Sequence, residues 1–303
     1  MNFTHFLLRV GKLVGIGRGR DKERVIPLPK IAKPPTTSSA LTVVAIIKNE
    51  ARYLEEWFQF HLGVGADRFI IYDNGSIDGS EEIVKKYVSK GIAEYIPWPH
   101  FCVDRYTQSL AYAHALCQFG SQAKWMAFID LDEFLFSPTN QDLNKVLENY
   151  QDVPAIAAFW VMFGTSGHKM RPQGGVLESY TRRYRSPNSS RGRIMRNFKS
   201  IVQPSRVTAV LSCHAFRTDL GLPLAVDEHR NPVFNRKSAV HSVEIFRINH
   251  YYTKSEEDFQ HRLTRGSLVP KGETLRRANY LRDYALIESD TVEDTTILER
   301  KTM

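Results

Sequence analysis

The stretch that decides the fold lies at residues 41–50 and reads LTVVAIIKNE. Its first part, Leu41–Ile47, is an unbroken apolar run, which is typical of a strand buried on both faces of a parallel sheet. Apolar residues then recur at helical spacing from Leu54 to Leu62, so we predict a helix directly after the strand. A buried strand followed by an amphipathic helix is the beginning of a βαβ unit.

The same alternation continues to residue 129. Further strands are predicted at Arg68–Tyr72, Ile92–Ile96 and Trp125–Ile129, and further helices at Gly79–Lys90 and Arg105–Gly120. The pattern predicts an α/β fold with a mostly parallel sheet flanked by helices. Beyond Phe136 the elements are shorter and mixed, with predicted strands at Ala155–Phe163, Lys199–Val202 and Val207–Leu211 and a helix at Ser255–Thr264, so we expect a mixed α+β second half.

Polar clusters follow three of the predicted strands. They are Lys48-Asn49-Glu50, Asp73-Asn74-Gly75-Ser76-Ile77-Asp78 and Asp130-Leu131-Asp132-Glu133. Ligands of such sheets bind in the crevice beyond the carboxyl ends of the strands. We therefore expect these clusters to converge on one binding site.

Asp130 and Asp132 are the candidate metal ligands. Two carboxylates around one apolar residue present the hard oxygen atoms that Mg²⁺ and Mn²⁺ prefer, and such a cation binds together with substrate phosphates. Asp73 could accept a hydrogen bond from a ribose hydroxyl or a base N–H, whereas Asp78 is predicted to cap the following helix. The pattern thus favours a nucleotide-diphosphate site.

The net charge of +8 is concentrated in two segments. Residues 1–40 hold eight Lys and Arg against two acidic residues, and residues 182–206 hold eight more with no acidic residue. The rest of the chain is mildly acidic. A basic tail and a basic loop do not form a nucleic-acid-binding face, so we predict no nucleic-acid partner.

The prolines and charges also suggest domain bounds. Residues 1–40 are predicted to be a basic, Pro-rich tail and linker, 41–280 a single domain, and 281–303 an acidic C-terminal tail. The domain divides into a first half at 41–136 and a second half at 137–280.

The predicted location is cytoplasmic. Three scattered cysteines, Cys102, Cys117 and Cys213, fit a reducing compartment better than a disulfide framework. Apolar residues at helical spacing near the N-terminus could form an interfacial helix, so that residues 1–33 would attach to an anionic membrane surface. The alternative is a frayed tail.

The ordered motifs resemble those of family-2-type glycosyltransferases, and most closely glycosyltransferase family 92. They are Ala45-Ile46-Ile47-Lys48-Asn49-Glu50, Glu55-Glu56-Trp57 with His61, Tyr72-Asp73-Asn74-Gly75-Ser76-x-Asp78-Gly79, Asp130-Leu131-Asp132-Glu133-Phe134, Trp160-x-x-Phe163-Gly164-Thr165-Ser166-Gly167-His168 and Asn249-His250-Tyr251-Tyr252. The clear similarity covers about residues 41–136, with weaker matches to about residue 265.

The resemblance implies a GT-A type of fold with a nucleotide-binding first half and an acceptor-side second half. It also implies Mn²⁺ (or Mg²⁺), a nucleotide-sugar donor such as a UDP-hexose, a glycan or glycolipid acceptor, and inversion at the anomeric carbon. By analogy, Asn49, Glu50 and Asp73 would hold the nucleoside, while Asp130 and Asp132 would face the cation and diphosphate.

The resemblance further implies that His250 could be a late metal ligand, although a histidine among tyrosines could equally be a core residue.

The general base of an inverting transfer stays open among several residues. Glu228 or Asp227 comes first, and Glu133 and His168 follow. The Glu-Asp pair for the base and the Gln-x-x-Arg-Trp stretch that many family-2 glycosyltransferases carry are not recognisable in this sequence.

The basic segment 182–206 is either a solvated loop or a cover over the diphosphate or a phosphorylated acceptor such as a lipopolysaccharide core, with Lys199 as its first candidate. Trp160 could stack on an acceptor sugar or lie in the core.

Two other functions are compatible with the same pattern. A nucleotidyltransferase would share the sheet and the metal carboxylates, but it usually needs a Gly-rich phosphate loop where this chain has Lys48-Asn49-Glu50. A non-catalytic, membrane-associated binding protein would tolerate loss of the carboxylates. Replacing Asp132 separates the enzyme from that second alternative.

Overall fold

The computed structural model describes residues 25–99, 107–185, 197–234, 241–264 and 273–299. The strands are β1 Ile26–Pro27, β2 Ser39–Ile47, β3 Arg68–Asp73, β4 Ala93–Pro97, β5 Ala123–Phe128, β6 Glu133–Phe136, β7 Ala155–Met162, β8 Arg182–Tyr184, β9 Phe198–Val202, β10 Val207–Val210, β11 Phe216–Thr218, β12 Ala225–Val226, β13 Pro232–Val233, β14 Arg247–His250 and β15 Thr291–Glu293. The helices are α1 Ala51–Gly63, α2 Ser80–Ser89, α3 Thr107–Phe119, α4 Leu143–Glu148, α5 Val176–Ser179, α6 Glu256–Thr264 and α7 Glu273–Ser289.

The central sheet has ten strands, in the order β13-β12-β7-β9-β5-β2-β3-β4, with β14 paired to both β6 and β7. Strands β5, β2, β3 and β4 are parallel to one another, and β12 and β14 are parallel to β7. Strand β9 is antiparallel to both of its neighbours. The sheet is therefore mostly parallel, and the predicted α/β class is confirmed.

Strand β3 shows why the continuous apolar runs predict central strands. Phe69 and Ile71 belong to one hydrophobic core, whereas Ile70 and Tyr72 belong to a second core on the opposite face of the sheet. Successive side chains of a strand point to opposite faces, so a strand covered on both sides needs apolar residues at every position. Helices α1 and α2 cover the first face, and α3 covers the second.

The packed chain extends beyond the predicted bounds of 41–280 at both ends. Strand β1 pairs with β10, and Ile26 and Ile31 are buried beneath α3 and its neighbours. At the other end β15 pairs with β8, and Ile287 and Ile297 are buried. Prolines suggested a free linker, but Pro27 lies on an edge strand, where a missing N–H is tolerated.

Residues 1–24 lie outside the described residues, so the membrane helix predicted there stays a prediction. Cys117 and Cys213 are free thiols, and Cys102 also lies outside the described part. None of the helices that the structure describes is both long enough and apolar enough to cross a bilayer.

Candidate functional site

The loops after β2 and β3 are tied together at the carboxyl edge of the sheet. Asn49 adopts a left-handed conformation with φ of 56°, which asparagine tolerates better than most residues. Its Oδ1 accepts a hydrogen bond from the Ile77 N–H at 2.9 Å, and its own N–H donates to Ser76 Oγ at 2.9 Å. Asn49 thus orders the loop after β3, and its amide oxygen is already used.

Asp73 is the last residue of β3 and is buried. Its Oδ1 accepts from the Ser76 N–H at 2.7 Å, and its Oδ2 accepts from the Tyr95 hydroxyl at 3.0 Å. Asp78 instead accepts from the Ala51 N–H at 2.9 Å and from Ser80, so it stabilises the starts of both α1 and α2. The N-cap position of α2 itself is Gly79, one residue after the predicted cap.

Asp130 follows β5 and is held by two side chains. Its Oδ1 accepts from Gln108 Nε2 at 2.7 Å, and its Oδ2 accepts from Lys199 Nζ at 2.8 Å. Lys199 lies on β9 and is 1% exposed, so it belongs to the sheet and not to a solvated loop. Burial alone would lower the pKa of Lys199, but Asp130 and Glu133 raise it well above its usual value. Lys199, predicted to bind the diphosphate, is therefore a charged partner of Asp130.

Glu133 is fully buried beneath this pair. Its Oε2 accepts from the Asp130 N–H at 3.0 Å and lies 3.7 Å from Lys199 Nζ. Burial raises the pKa of Glu133 well above its usual range. A buried side chain cannot reach an acceptor hydroxyl, so Glu133 does not fit the role of general base.

Asp132 and His250 are brought together by the pairing of β6 with β14. His250 lies opposite Glu133 in that ladder, and the Tyr251 N–H donates to the Asp132 carbonyl at 2.8 Å. As a result His250 Nε2 lies 3.4 Å from Asp132 Oδ2. The Arg262 guanidinium of α6 donates to the same oxygen.

The ionisation states suit a cation site. Burial raises the pKa of Asp132, but Arg262 and His250 outweigh it and hold the pKa well below its usual value. Burial lowers the pKa of His250, which favours the neutral imidazole that metals bind.

The carboxylate and imidazole fit a divalent cation such as Mn²⁺. Two atoms that each lie about 2.1 Å from one cation are roughly 3–3.5 Å apart, which matches the separation of Asp132 Oδ2 and His250 Nε2. His250 Nδ1 faces Glu133 Oε1 at 3.9 Å, and within the described residues neither of these buried atoms has a hydrogen-bond partner. Asp130 faces Lys199, so Asp132 and His250 are the better-placed pair.

A second group with metal-ligand chemistry is Glu228, His229 and Glu244. Glu228 cannot serve there, because Oε1 accepts from Ser242 Oγ and from the Glu244 N–H, and Oε2 accepts from the Ile245 and Phe246 N–H groups. Its lone pairs are fully used. Glu228 is therefore a buried carboxylate that orders the chain before β14.

Asp227 and Glu228, the first candidates for the general base, therefore have structural contacts instead. Asp227 accepts from the His229 and Asn231 N–H groups at 2.9 and 2.8 Å and closes a tight turn. Glu228 binds the chain just before β14, whereas His250 is the last residue of that strand. The length of β14, roughly 10 Å, therefore separates Glu228 from the Asp132 site. Neither carboxylate is free to accept a proton from a substrate at the Asp132 site.

His168 is the half-buried member of the predicted bases. Its Nε2 lies 2.9 Å from the Ser179 carbonyl, so Nε2 carries the proton and Nδ1 is the acceptor nitrogen. Its own carbonyl accepts from the Glu256 N–H at the start of α6. His168 is thus next to the helix that also carries Arg262.

A cleft of about 310 Å³ opens at this edge of the sheet. It is lined by Asn49, Glu50, Tyr53, Arg171, Tyr252, Thr253, Lys254, Asp258, His261 and Arg262. Arg262 connects the cleft directly to Asp132. A larger depression of about 760 Å³ lies elsewhere, along residues 28–34 and 203–208, and none of the predicted site residues lines it.

The family model for glycosyltransferase family 92 matches residues 44–279, which is most of the chain. The chain belongs to glycosyltransferase family 92. A family 92 protein of Oryza sativa subsp. japonica is 34% identical over 61% of this chain, and one of Arabidopsis thaliana is 27% identical over 74%. The chain spans about a third of the length of these relatives, 30% and 37% respectively.

Two solved glycosyltransferase structures are also similar. Staphylococcus aureus TarS, residues 1–349, has 14% identity and a TM-score of 0.39, and the match covers 80% of this chain and 70% of that one. The mannosyltransferase PcManGT of Pyrobaculum calidifontis, in complex with GDP-Man and Mn²⁺, has 16% identity and a TM-score of 0.31. The match covers 51% of this chain and 42% of PcManGT. Family 92 membership and the observed sheet agree with the GT-A type of fold expected from the sequence.

Three residues of this candidate site were not predicted from the sequence. They are Arg262 on Asp132, Gln108 on Asp130 and Tyr95 on Asp73. Each lies on a predicted helix or strand but carries no motif of its own. Only the pairing of distant elements shows that they belong to the site.

Proposed function

We propose that this chain is a metal-dependent glycosyltransferase that moves a hexose from a nucleotide-sugar, with UDP-hexose as the expected donor, to a glycan or glycolipid acceptor. The observation that carries the proposal is the meeting of Asp132 with His250 beside the cleft, in a chain of family 92. The chain spans only about a third of the length of its relatives, so the proposed activity rests on this site.

Asp132 and His250 are the residues that would hold the cation. When bound there, Mn²⁺ or Mg²⁺ stabilises negative charge on the departing nucleotide diphosphate. Asn49 and Glu50, which line the cleft, are proposed to bind the nucleoside. Asp73 is buried and its oxygens accept from the Ser76 N–H and the Tyr95 hydroxyl, so it would order the loop beside them. Asp130 is oriented by its contact with Lys199 Nζ at 2.8 Å.

Cationic side chains in the cleft suit the diphosphate. Lys254 and Arg262 line the cleft with Arg171, which is paired with Asp258 at 2.6 Å. Lys254 Nζ lies 4.1 Å from the centre of the Tyr53 ring, which holds the ammonium in place. Fixed positive charges aimed at a developing anion lower the barrier because they need no reorganisation during the reaction.

The transfer is a single displacement with inversion. The acceptor hydroxyl attacks the anomeric carbon, the bond to the diphosphate oxygen breaks, and the hydroxyl proton passes to a base. Of the predicted bases, His168 is retained, because Asp227, Glu228 and Glu133 are buried and engaged. General-base help contributes about 10²–10⁴-fold, so His168→Gln should lower kcat by such a factor while UDP binding is kept.

The decisive experiment is a screen of UDP-sugars for Mn²⁺-dependent hydrolysis and thermal stabilisation, with GDP-sugars as controls. Asp132→Ala should abolish both signals while the circular dichroism spectrum is unchanged. Asp152→Ala, an exposed carboxylate paired with Arg230, is the matched control and should behave as the wild type. If Asp132→Ala still hydrolyses the donor at the wild-type rate, the metal assignment is wrong.

A further inference from the structure

Arg262 is held from several directions at the metal site. One terminal nitrogen donates to Asp132 Oδ2, and the other donates to the Tyr252 carbonyl at 2.6 Å. The guanidinium also lies over the Tyr252 and Tyr280 rings, 5.0 and 5.7 Å from their centres. Its side chain is 25% exposed, so it can still meet a ligand in the cleft. Arg262 therefore places a positive charge directly beside a candidate metal ligand.

The cation and Arg262 compete for the same oxygen. Asp132 Oδ2 accepts from Arg262, and it is also the atom that faces His250 Nε2 at 3.4 Å. A divalent cation bound between Asp132 and His250 would lie close to the guanidinium. Like charges at such a distance in a partly buried site repel strongly. Cation binding to the protein alone is thus opposed by a residue of the protein itself.

A nucleotide diphosphate changes this balance. Its oxygens can accept hydrogen bonds from the guanidinium and bind the cation at the same time, since guanidinium groups match phosphate geometry well. Arg262 lines the cleft and could reach such a group by turning from Asp132 while keeping its contact with Tyr252. The negative charge of the diphosphate would then separate the two positive charges.

We propose that Arg262 makes cation binding depend on the nucleotide diphosphate, so that the two ligands bind together and neither binds well alone. This inference rests on the proposed glycosyltransferase function of the same site. Arg171 and Lys254 line the same cleft, and Lys254 also adds positive charge near Asp132. Arg171 is paired with Asp258, and Lys254 lies over the Tyr53 ring, whereas Arg262 donates a hydrogen bond to Asp132 itself. Arg262 is a positioning residue for both ligands.

The test measures Mn²⁺ affinity from the electron paramagnetic resonance signal of free Mn²⁺, with and without saturating UDP. In the wild-type protein UDP should tighten Mn²⁺ binding about tenfold or more, and by linkage Mn²⁺ should tighten UDP binding by the same factor. Arg262→Gln should bind Mn²⁺ alone about tenfold more tightly than the wild type, and its coupling to UDP should be correspondingly smaller. UDP alone should bind this variant more weakly.

Two variants serve as controls. Arg262→Lys keeps the positive charge, so its affinity for Mn²⁺ alone should stay within about threefold of the wild type. Arg230→Gln removes an exposed arginine that is paired with Asp152, and it should leave all affinities unchanged. Circular dichroism and the melting temperature check that each variant is folded.

The outcomes separate this inference from the proposed function. If the wild type binds Mn²⁺ with UDP but Arg262→Gln binds Mn²⁺ alone no more tightly than the wild type, the role of Arg262 is refuted and the proposed function stands. If Arg262→Gln does not fold, a gain of tenfold or more in Mn²⁺ affinity by Arg262→Lys refutes the charge argument instead. If the wild type binds no Mn²⁺ even with UDP, both proposals fail.

Discussion

Asp294 joins the C-terminal segment to the strand that carries His250. Its Oδ2 accepts from Arg247 at 2.8 Å and from Arg183 Nε at 2.5 Å. The side chains of Asp294 and Arg247 are each 6% exposed, and Arg247 is the first residue of β14. Replacing Asp294 by Asn keeps the shape of the side chain but removes its charge, so it tests how strongly this buried ion pair stabilises the protein.

The expected loss in the free energy of unfolding follows from the lowered pKa of Asp294 and from the uncompensated charge that Arg247 keeps in the variant. Burial raises the pKa of Asp294, but Arg247 and Arg183 outweigh it and lower the pKa to about 2, from 3.8. That shift is equivalent to about 2 kcal/mol, or about 1–2 kcal/mol after allowance for solvent screening. Breaking a buried pair also leaves Arg247 uncompensated, which typically costs about 3–5 kcal/mol in all. Because Asn still accepts a hydrogen bond, we expect Asp294→Asn to lose about 2–4 kcal/mol.

The sign of the pH dependence is set by the lowered pKa. A carboxyl whose folded-state pKa is depressed stabilises the protein fully above its unfolded-state pKa, and this contribution is lost as the pH falls through the folded value. The difference between wild type and Asp294→Asn should therefore be constant above about pH 5. About half of the ionic part should be lost by pH 3, because the carboxyl of the unfolded chain, with its ordinary pKa of 3.8, is by then mostly protonated while folded Asp294 is still mostly ionised.

Urea unfolding followed by circular dichroism at pH 7, 5, 4 and 3 measures this difference. Asp290→Asn is the matched control, because Asp290 pairs with Arg185 at the surface, where both side chains are more than 40% exposed. Such a pair contributes about 0–1 kcal/mol, so the control should unfold almost as the wild type does. A loss below 1 kcal/mol for Asp294→Asn at pH 7, or a difference that does not change between pH 5 and pH 3, would refute the reasoning.

Three further predictions concern buried residues of the described chain. Lys199→Met leaves the carboxyl groups of Asp130 and Glu133 without their cation, so urea unfolding should show a loss of about 3 kcal/mol in the free energy of unfolding. Lys124→Met, at an exposed position of β5, is the control and should have little effect. Glu228→Gln should lower the free energy of unfolding by about 2–4 kcal/mol, because the Glu228 carboxylate accepts from backbone N–H groups. Mn²⁺-dependent UDP binding should stay within about twofold of the wild type. A loss of activity without a loss of stability would contradict the structural role of Glu228. Ile26→Ala should lower the free energy of unfolding by about 2–4 kcal/mol if β1 is part of the core, and a change below 0.5 kcal/mol would show that it is not.

The first half of the fold is readable from the sequence because its signals are local. Leu41–Ile47 and Arg68–Tyr72 are apolar at every position, and the structure has strands Ser39–Ile47 and Arg68–Asp73 there. Both are central strands covered by helices on each face, so composition alone reveals their burial. Strands such as Ile26–Pro27 and Thr291–Glu293 are short edge strands whose partners are far away in the chain, and no local pattern marks them.

In the candidate site, too, the features set by local sequence are predictable, whereas those set by distant pairing are not. Asp73, Asp130 and Asp132 follow predictable strands, so their position at one edge of the sheet follows from topology. The contacts of Glu228 depend instead on a turn and on the loop before β14, and those of Lys199 on the pairing of an antiparallel strand. Residue type suggested a base and a phosphate ligand at these two positions, but the hydrogen bonds of a buried charge decide what it can do.

The proposed metal pair, Asp132 and His250, depends on long-range strand pairing, so neither half of the chain could form it alone. Strand β14 lies between β6 and β7, and His250 is opposite Glu133 on one side and Met162 on the other. Asp132 reaches His250 because the Tyr251 N–H fixes the chain just before β6. The helix that supplies Arg262 begins only a few residues after β14, so the imidazole and its competing guanidinium arrive at Asp132 together. A substitution that displaces His250 or Asp132 themselves should therefore alter Mn²⁺ affinity as well as stability, whereas a change in β1, such as Ile26→Ala, should alter stability alone.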